Sequence, residues 1–329
     1  MTARVLVAAV VSLFLAGAAH AALDAGSVAR AAEYSARYGE HSMLLWENGR
    51  VIFERGTRGA VPPPRIFSIT KSLVSIGVFR DAMTGGLSLG QAAGGGAARG
   101  IALADLLNQT SGLAPAAGEF YTVGLQDKQR VLRGLKRNGD GSVGYGPSHW
   151  EVLAEEIRLR RGTPLEKWVR RFVPGARPDV VARWRKDDSG TMFFSTGARM
   201  DARDLLPAGR EVVRGMGRGS GQWPAEVRAL LSGGTAANRM YALGFWLNRQ
   251  KSVPGAREVA VESSLDRPRP PEFWRAACLS LRAPDELLAM IGTDGQRAYV
   301  VPSRDLVVVR LGARAGFSDS EFLAKLFGP

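Results

Sequence analysis

The chain has 329 residues, 45% hydrophobic and 23% charged, a balance that excludes a disordered, collagen-like or multi-span membrane protein. Its 44 basic residues against 31 acidic ones give a formal net charge of +13, carried almost entirely by arginine because only seven of the 44 are lysine. One cysteine, Cys278, and three histidines, His20, His41 and His149, leave no material for a disulfide framework, a cysteine-based zinc site or a multi-histidine metal centre.

Arg4 precedes the apolar run Val5–Ala16, and small residues ending Ala19-His20-Ala21 follow. A short basic start, an apolar centre and an A-x-A end predict a secretory signal peptide over 1–21, cleaved after Ala21. The run falls short of the ~20 apolar residues that span a bilayer. The expectation is therefore a periplasmic or secreted protein with no stable membrane anchor after cleavage. Only His41 and His149 then remain, so hydrolytic chemistry is expected to use a base other than histidine.

Along the rest of the chain, Val28, Ala31, Tyr34 and Tyr38 predict a helix over 26–38. His41–Glu47 and Arg50–Arg55 alternate around Asn48-Gly49, the signature of a β-hairpin. After Pro62-Pro63-Pro64 a helix opens at Ser68. Its Ile69, Leu73, Ile76, Phe79 and Met83 make it apolar nearly all round, hence buried, and it stops at Gly85-Gly86. Ala92–Gly100 reads as a small-residue linker, and residues 100–240 as mostly helix and loop. Ser148 and Glu151 have the spacing of a capping box, opening a helix through Arg161. Arg158, Arg160, Arg161, Arg170 and Arg171 read as a solvated basic face. Three apolar strands follow at Leu287–Gly292, Arg297–Pro302 and Leu306–Leu311, and a helix at Ser318–Phe327 comes last. The fold class expected is α+β: an antiparallel five-stranded sheet built from both ends of the chain and flanked by terminal helices. Its sheet domain would comprise 22–66 and 241–329, with a mostly helical domain, 67–240, inserted.

The chemistry concentrates at Phe67-Ser68-Ile69-Thr70-Lys71-Ser72. Residues i and i+3 share a helix face, so Ser68 and Lys71 would have their side chains together at a helix N-terminus, which favours negative charge. A desolvated lysine beside a hydroxyl can have its pKa lowered enough to serve as a base. Alone, S-x-x-K also fits a serine N-cap with an exposed lysine. The apolar helix around Lys71 favours the functional reading, since an unpaired buried cation is costly.

Together with Leu103–Leu113, Phe67–Ser72 resembles the serine β-lactamase and penicillin-binding-protein superfamily, nearest its class C-like, CubicO-type branch. Tyr145-Gly146-Pro147, Trp184 with Asp188 and Gly190, and Gly295-Gln296 leading into Tyr299–Pro302 and Asp305–Arg310 extend the resemblance over residues 25 to 328. It implies Ser68 as the acylated nucleophile, Lys71 as its base partner and Tyr145 as the proton relay to the leaving group. The third motif aligns with Thr293-Asp294-Gly295 as a substrate-binding segment, and the backbone N–H groups of Ser68 and Gln296 would form the oxyanion hole. Neither a metal nor an organic cofactor is implied. Pro147 stands where the family has asparagine, and Thr293 where β-lactamases have the lysine that holds a substrate carboxylate. With Asp294 alongside, the expectation is an esterase or amidase acting on small molecules without that carboxylate, nylon-oligomer hydrolase-like members offering one analogy.

Other motifs are weaker. Gly86-Leu87-Ser88-Leu89-Gly90 matches a nucleophile elbow but lacks the preceding strand. Gly215–Gly221 lacks the strand and acidic partner of a dinucleotide loop. His149 is expected at the surface of a first helical turn, and Cys278 as a buried apolar residue. The basic charge raises contact with anionic envelope polymers by a non-catalytic homologue. Export and the absence of aromatics interleaved with arginine argue against nucleic acid. A D-amino peptidase or a β-lactamase-like enzyme on cell-wall-type substrates is the remaining alternative.

Overall fold

A computed structural model describes residues 22–56, 63–137, 144–217, 219–265, 269–313 and 316–328, so the expected signal peptide lies outside the described residues. Asp24 caps the first helix, α1 (Ala25–Arg37), by accepting from the Ser27 N–H at 2.9 Å. β1 (Glu40–Glu47) and β2 (Arg50–Gly56) form the expected hairpin. Asn48 and Gly49 turn it with φ of 49° and 85°, the doubly positive conformation that matches strand twist. α2 (Ile69–Met83) is buried on all sides over most of its length.

A helical region follows: α3 (Leu103–Asn108), α4 (Ala117–Phe120), α5 (Lys128–Gly134), α6 (Ser148–Arg161), α7 (Leu165–Phe172), α8 (Pro178–Ala182), α9 (Ala202–Met216) and α10 (Ala225–Gly233). The chain then returns to strands with β3 (Tyr241–Ala242), β4 (Phe245–Leu247) and β5 (Arg257–Glu258). Two short helices, α11 (Val261–Ser264) and α12 (Pro271–Arg275), precede β6 (Ala277–Cys278). β7 (Leu288–Gly292), β8 (Gln296–Val301), β9 (Leu306–Gly312) and α13 (Asp319–Phe327) complete it.

The sheet runs β2-β1-β9-β8-β7-β4-β3, antiparallel throughout. β1 pairing with β9 joins the two ends of the chain. Among the described residues the sheet has seven strands where five were expected, because β3 and β4, of two and three residues, are too short to show an alternation. β5 and β6 form a separate parallel pair.

Both faces of the sheet are covered, so β9 is buried at every residue. Val307, Val309 and Leu311 point into the core shared with α2 and α9. Leu306 and Val308 point into the one shared with α1 and α13. This period-two division places α2, and with it Ser68, against one face near the C-terminal end of β7.

Three local expectations fail for identifiable reasons. α6 opens as foreseen, but Ser148 makes no capping bond and Glu151 is fully buried in another interaction. His149 is fully buried, not at the surface. Arg161 is not simply solvated: its Nε donates to Asp81 Oδ2 at 2.9 Å, and Trp168 Nε1 donates to the same oxygen at 2.7 Å. Ser88 is exposed beyond the end of α2, and Cys278 is a buried free thiol.

Candidate active site

The site is built on the entry to α2. Phe67, immediately before Ser68, has φ of 46°, a left-handed conformation uncommon for a non-glycine residue. Ser68 occupies the N-cap position, yet its hydroxyl makes no capping bond. Lys71, one turn on, donates from Nζ to Ser68 Oγ at 2.8 Å and to the Ser195 carbonyl at 3.2 Å. The serine cap with an exposed lysine is thereby replaced by a hydroxyl facing an amine that is 3% exposed.

Tyr145 closes the third side. Lys71 Nζ stands 5.0 Å from the centre of its ring, and Tyr145 lines the same cavity as Ser68. The electrostatics of the two follow from burial. Desolvation pulls the Lys71 amine down to about 7, with the Glu151 carboxylate opposing it. Desolvation pushes the Tyr145 phenol up, well outside the neutral range, so it stays protonated while Lys71 can lose its proton.

The segment Asn108–Ser111, part of the Leu103–Leu113 motif, braces Tyr145. Gln109 Oε1 accepts from the Gly146 N–H at 2.8 Å, and its Nε2 donates to the Tyr241 hydroxyl at 2.6 Å. Tyr241 and Trp246 then meet the Tyr145 ring at centroid distances of 6.0 and 5.9 Å. On the other side Ser111 Oγ meets His149 Nδ1 at 2.8 Å, while His149 Nε2 lies 2.6 Å from the Gly144 carbonyl. With a carbonyl as acceptor, the network assigns the imidazole proton to Nε2. Burial pulls His149 down to about 4, so it is neutral at physiological pH. It is a strut for the loop carrying Tyr145, in contact with neither Ser68 nor Lys71 through any hydrogen bond.

A buried ion pair underlies the Lys71 acceptor. Lys128 Nζ donates to Glu151 Oε2 at 2.8 Å, with both side chains no more than 1% exposed. Glu151 also accepts from the backbone N–H groups of Phe194 and Ser195, at 3.3 and 2.9 Å, and Lys128 donates to the Met192 carbonyl. The pair therefore fixes residues 192–195 through three hydrogen bonds, and the Ser195 carbonyl faces Lys71. Nothing local in the sequence connects Lys128 with Glu151, and Glu151 at the spacing of a capping box pointed elsewhere.

The third motif differs from expectation. Thr293-Asp294-Gly295 is the turn between β7 and β8, with Asp294 and Gly295 at φ of 61° and 74°. The Asp294 and Gly295 N–H groups donate to Glu262 at 3.1 and 3.2 Å. Gln296 lies beyond this turn, 2% exposed, its N–H directed 3.5 Å to the Thr293 carbonyl and its side chain bonded to Gly312. It does not line the cavity, because the turn carries it onto β8, away from Ser68. The wall beside Ser68 is instead the end of β7, where Ile291, Gly292 and Thr293 face the cavity. A Cβ at Gly292 would lie 2.2 Å from the Ile66 carbonyl, so glycine is what lets this strand end approach the nucleophile loop.

Ser68, Lys71, Tyr145 and Thr293 therefore line one cavity of about 820 Å³, whereas Asp294, Gly295 and Gln296 do not line it. Arg65, Tyr121, Arg185, Trp246 and Glu262 complete its walls. None of these five was singled out from the sequence, where each is an isolated residue on a loop, a short strand or a short helix.

This α+β unit, an antiparallel sheet covered by helices on both faces with a serine and lysine at the mouth of its central helix and a tyrosine beside them, has the fold of the serine β-lactamase and penicillin-binding-protein superfamily. Three solved structures illustrate the likeness. EstCE1, a hydrolase with promiscuous acyltransferase activity, superposes with a TM-score of 0.63 at 16% identity, covering 92% of this chain and 99% of its own. A class C β-lactamase from Rhodobacter sphaeroides gives 0.58 at 18% identity, over 92% and 97%. A D-stereospecific amidohydrolase from Streptomyces sp. gives 0.58 at 14% identity, over 93% and 99%. No protein-family model matches the sequence, and no curated protein matches it.

Proposed function

We propose that the protein is a serine hydrolase that cleaves an ester or amide bond of a small molecule through an acyl-enzyme on Ser68. The observation that carries this reading is the 2.8 Å contact of Lys71 Nζ with Ser68 Oγ, at an amine whose burial brings it to about 7. Neutral Lys71 takes the Ser68 proton as Oγ bonds to the carbonyl carbon. The Tyr145 phenol, beside Lys71 and in the same cavity as Ser68, hands a proton to the departing alcohol or amine and is replenished from Lys71. Water then attacks the ester, Lys71 again accepting a proton, and the acid product leaves with Ser68 restored. The developing oxyanion sits at the positive N-terminus of α2, with the Ser68 N–H as one donor. Its second donor belongs to the end of β7, not to Gln296.

A fluorophosphonate probe tests the assignment: it should label the native protein and leave Ser68→Ala unlabelled, and equal labelling of both would refute it. Sequence features also support export to the periplasm or beyond. The exported chain should begin at Ala22 on N-terminal sequencing, and one that retains Met1 in its native host would show the leader is not removed.

A further inference from the structure

Several partly buried arginines of this protein have an anion beside them. Arg161 pairs with Asp81, Arg183 with Asp204, and Arg297 with Asp319 and Glu262. Two that line the Ser68 cavity do not. The Arg65 side chain has its Nε buried and without a hydrogen-bond partner, its guanidinium 4.7 Å over the Phe67 ring. Arg185 has its guanidinium 5.5 Å over the Phe193 ring and forms no ion pair among the described residues. Burial and the neighbouring charges of Arg185 and Arg199 lower the Arg65 pKa, and Tyr121 and the Asp294 carboxylate offset them only in part.

Among the described residues, the one carboxylate lining the same cavity is already occupied. Glu262 accepts from Arg297 Nη2 at 2.6 Å and from two backbone N–H groups of the β7–β8 turn. The cavity therefore faces its occupant with two guanidinium groups that form no ion pair among the described residues. Beside them the Ser195 and Thr196 hydroxyls are buried without a hydrogen-bond partner. Both arginines are held relative to the nucleophile. Arg65 precedes Ser68 by three residues, and the Arg185 backbone pairs with Phe193 and Gly197 at 3.0 and 2.8 Å, flanking the Ser195 carbonyl that receives Lys71.

We propose that Arg65 and Arg185 form an anion subsite that selects substrates carrying a carboxylate near the scissile bond. This rests on the Ser68 hydrolase reading and reverses the expectation, drawn from Thr293 and Asp294, that acidic substrates are disfavoured. Asp294 does not line the cavity, although its charge reaches Arg65, and the two arginines supply the cation that the missing lysine of the third motif would. Guanidinium groups suit the role because their paired donors match a carboxylate.

The test compares two p-nitrophenyl esters of equal chain length, the neutral valerate and the anionic hydrogen glutarate. The native protein should favour the anionic ester in kcat/KM, and Arg185→Gln or Arg65→Gln should each lower that ratio by about ten-fold, the scale of one charge-assisted hydrogen bond. Arg282→Gln, at an exposed position away from the cavity, should leave the ratio unchanged. A native preference for the neutral ester, or a ratio that survives Arg185→Gln, overturns the subsite. Binding separates failure of the subsite from failure of the nucleophile. Glutarate should raise the melting temperature of Ser68→Ala but not of Ser68→Ala/Arg185→Gln, whichever residue proves to be acylated. Absence of that shift in Ser68→Ala also counts against the subsite.

Discussion

Lys71 is the residue on which the chemistry turns, and burial gives it opposite effects on activity and stability. Desolvation makes the amine a base near neutrality but penalises the folded state for enclosing it. The unfolded chain keeps this proton to about 10.5 and the folded protein releases it near 7, so its penalty is full below 7 and fades as pH rises between those values. The catalytic consequence has the same sign. For the neutral valerate ester, kcat/KM should rise about ten-fold per pH unit below 7 and level off above it, as measured between pH 5 and 9. A flat profile, or a limb with the reverse slope, would exclude Lys71 as the base. Tyr145 titrates too high to add a second limb in that range.

At the scale of elements, the loop into α6 depends on a neutral histidine. His149 joins Ser111 to the Gly144 carbonyl and so fixes the residue before Tyr145. Its folded pKa near 4 lies below the 6.5 of a free imidazole, so the unfolded chain binds this proton first as pH falls. The stabilisation is complete above 6.5 and is lost towards 4, by at most about 3 kcal/mol. Chemical denaturation should therefore show stability falling over that window, and His149→Gln should flatten this part of the curve. An unchanged curve in the variant would move the acid sensitivity elsewhere. The elements also show what a linear reading misses. Ser148 and Glu151 have the spacing of a capping box, but Glu151 is enclosed by Lys128 and two N–H groups of another segment. A tertiary ion pair outcompetes a local cap and leaves no trace in the spacing.

Over the whole molecule, the sequence-level reading succeeded where patterns are long and local. The Asn48-Gly49 hairpin, the all-round apolar α2 and the three final strands have enough residues to display their period. The S-x-x-K spacing put Ser68 and Lys71 on one helix face. What could not be read is what tertiary structure brings together: the two short strands β3 and β4, the His149 strut, and the arginine wall drawn from residues 65 and 185. The register of Gln296 failed for a similar reason, since one turn decides whether its N–H faces the nucleophile or the hairpin. The arrangement has a simple consequence, because β1 pairs with β9 and α1 packs on α13. The chain's two ends form the rigid layer against which α2 presents Ser68.

The most direct measurement is mass spectrometry of the protein quenched during turnover of the valerate ester, with the acyl group mapped to a peptide. The account predicts the added acyl mass on the peptide containing Ser68, with its formation slowed by about 10²-fold or more in Lys71→Ala. An acyl group on another residue, or acylation of Ser68 at the native rate without Lys71, would contradict it.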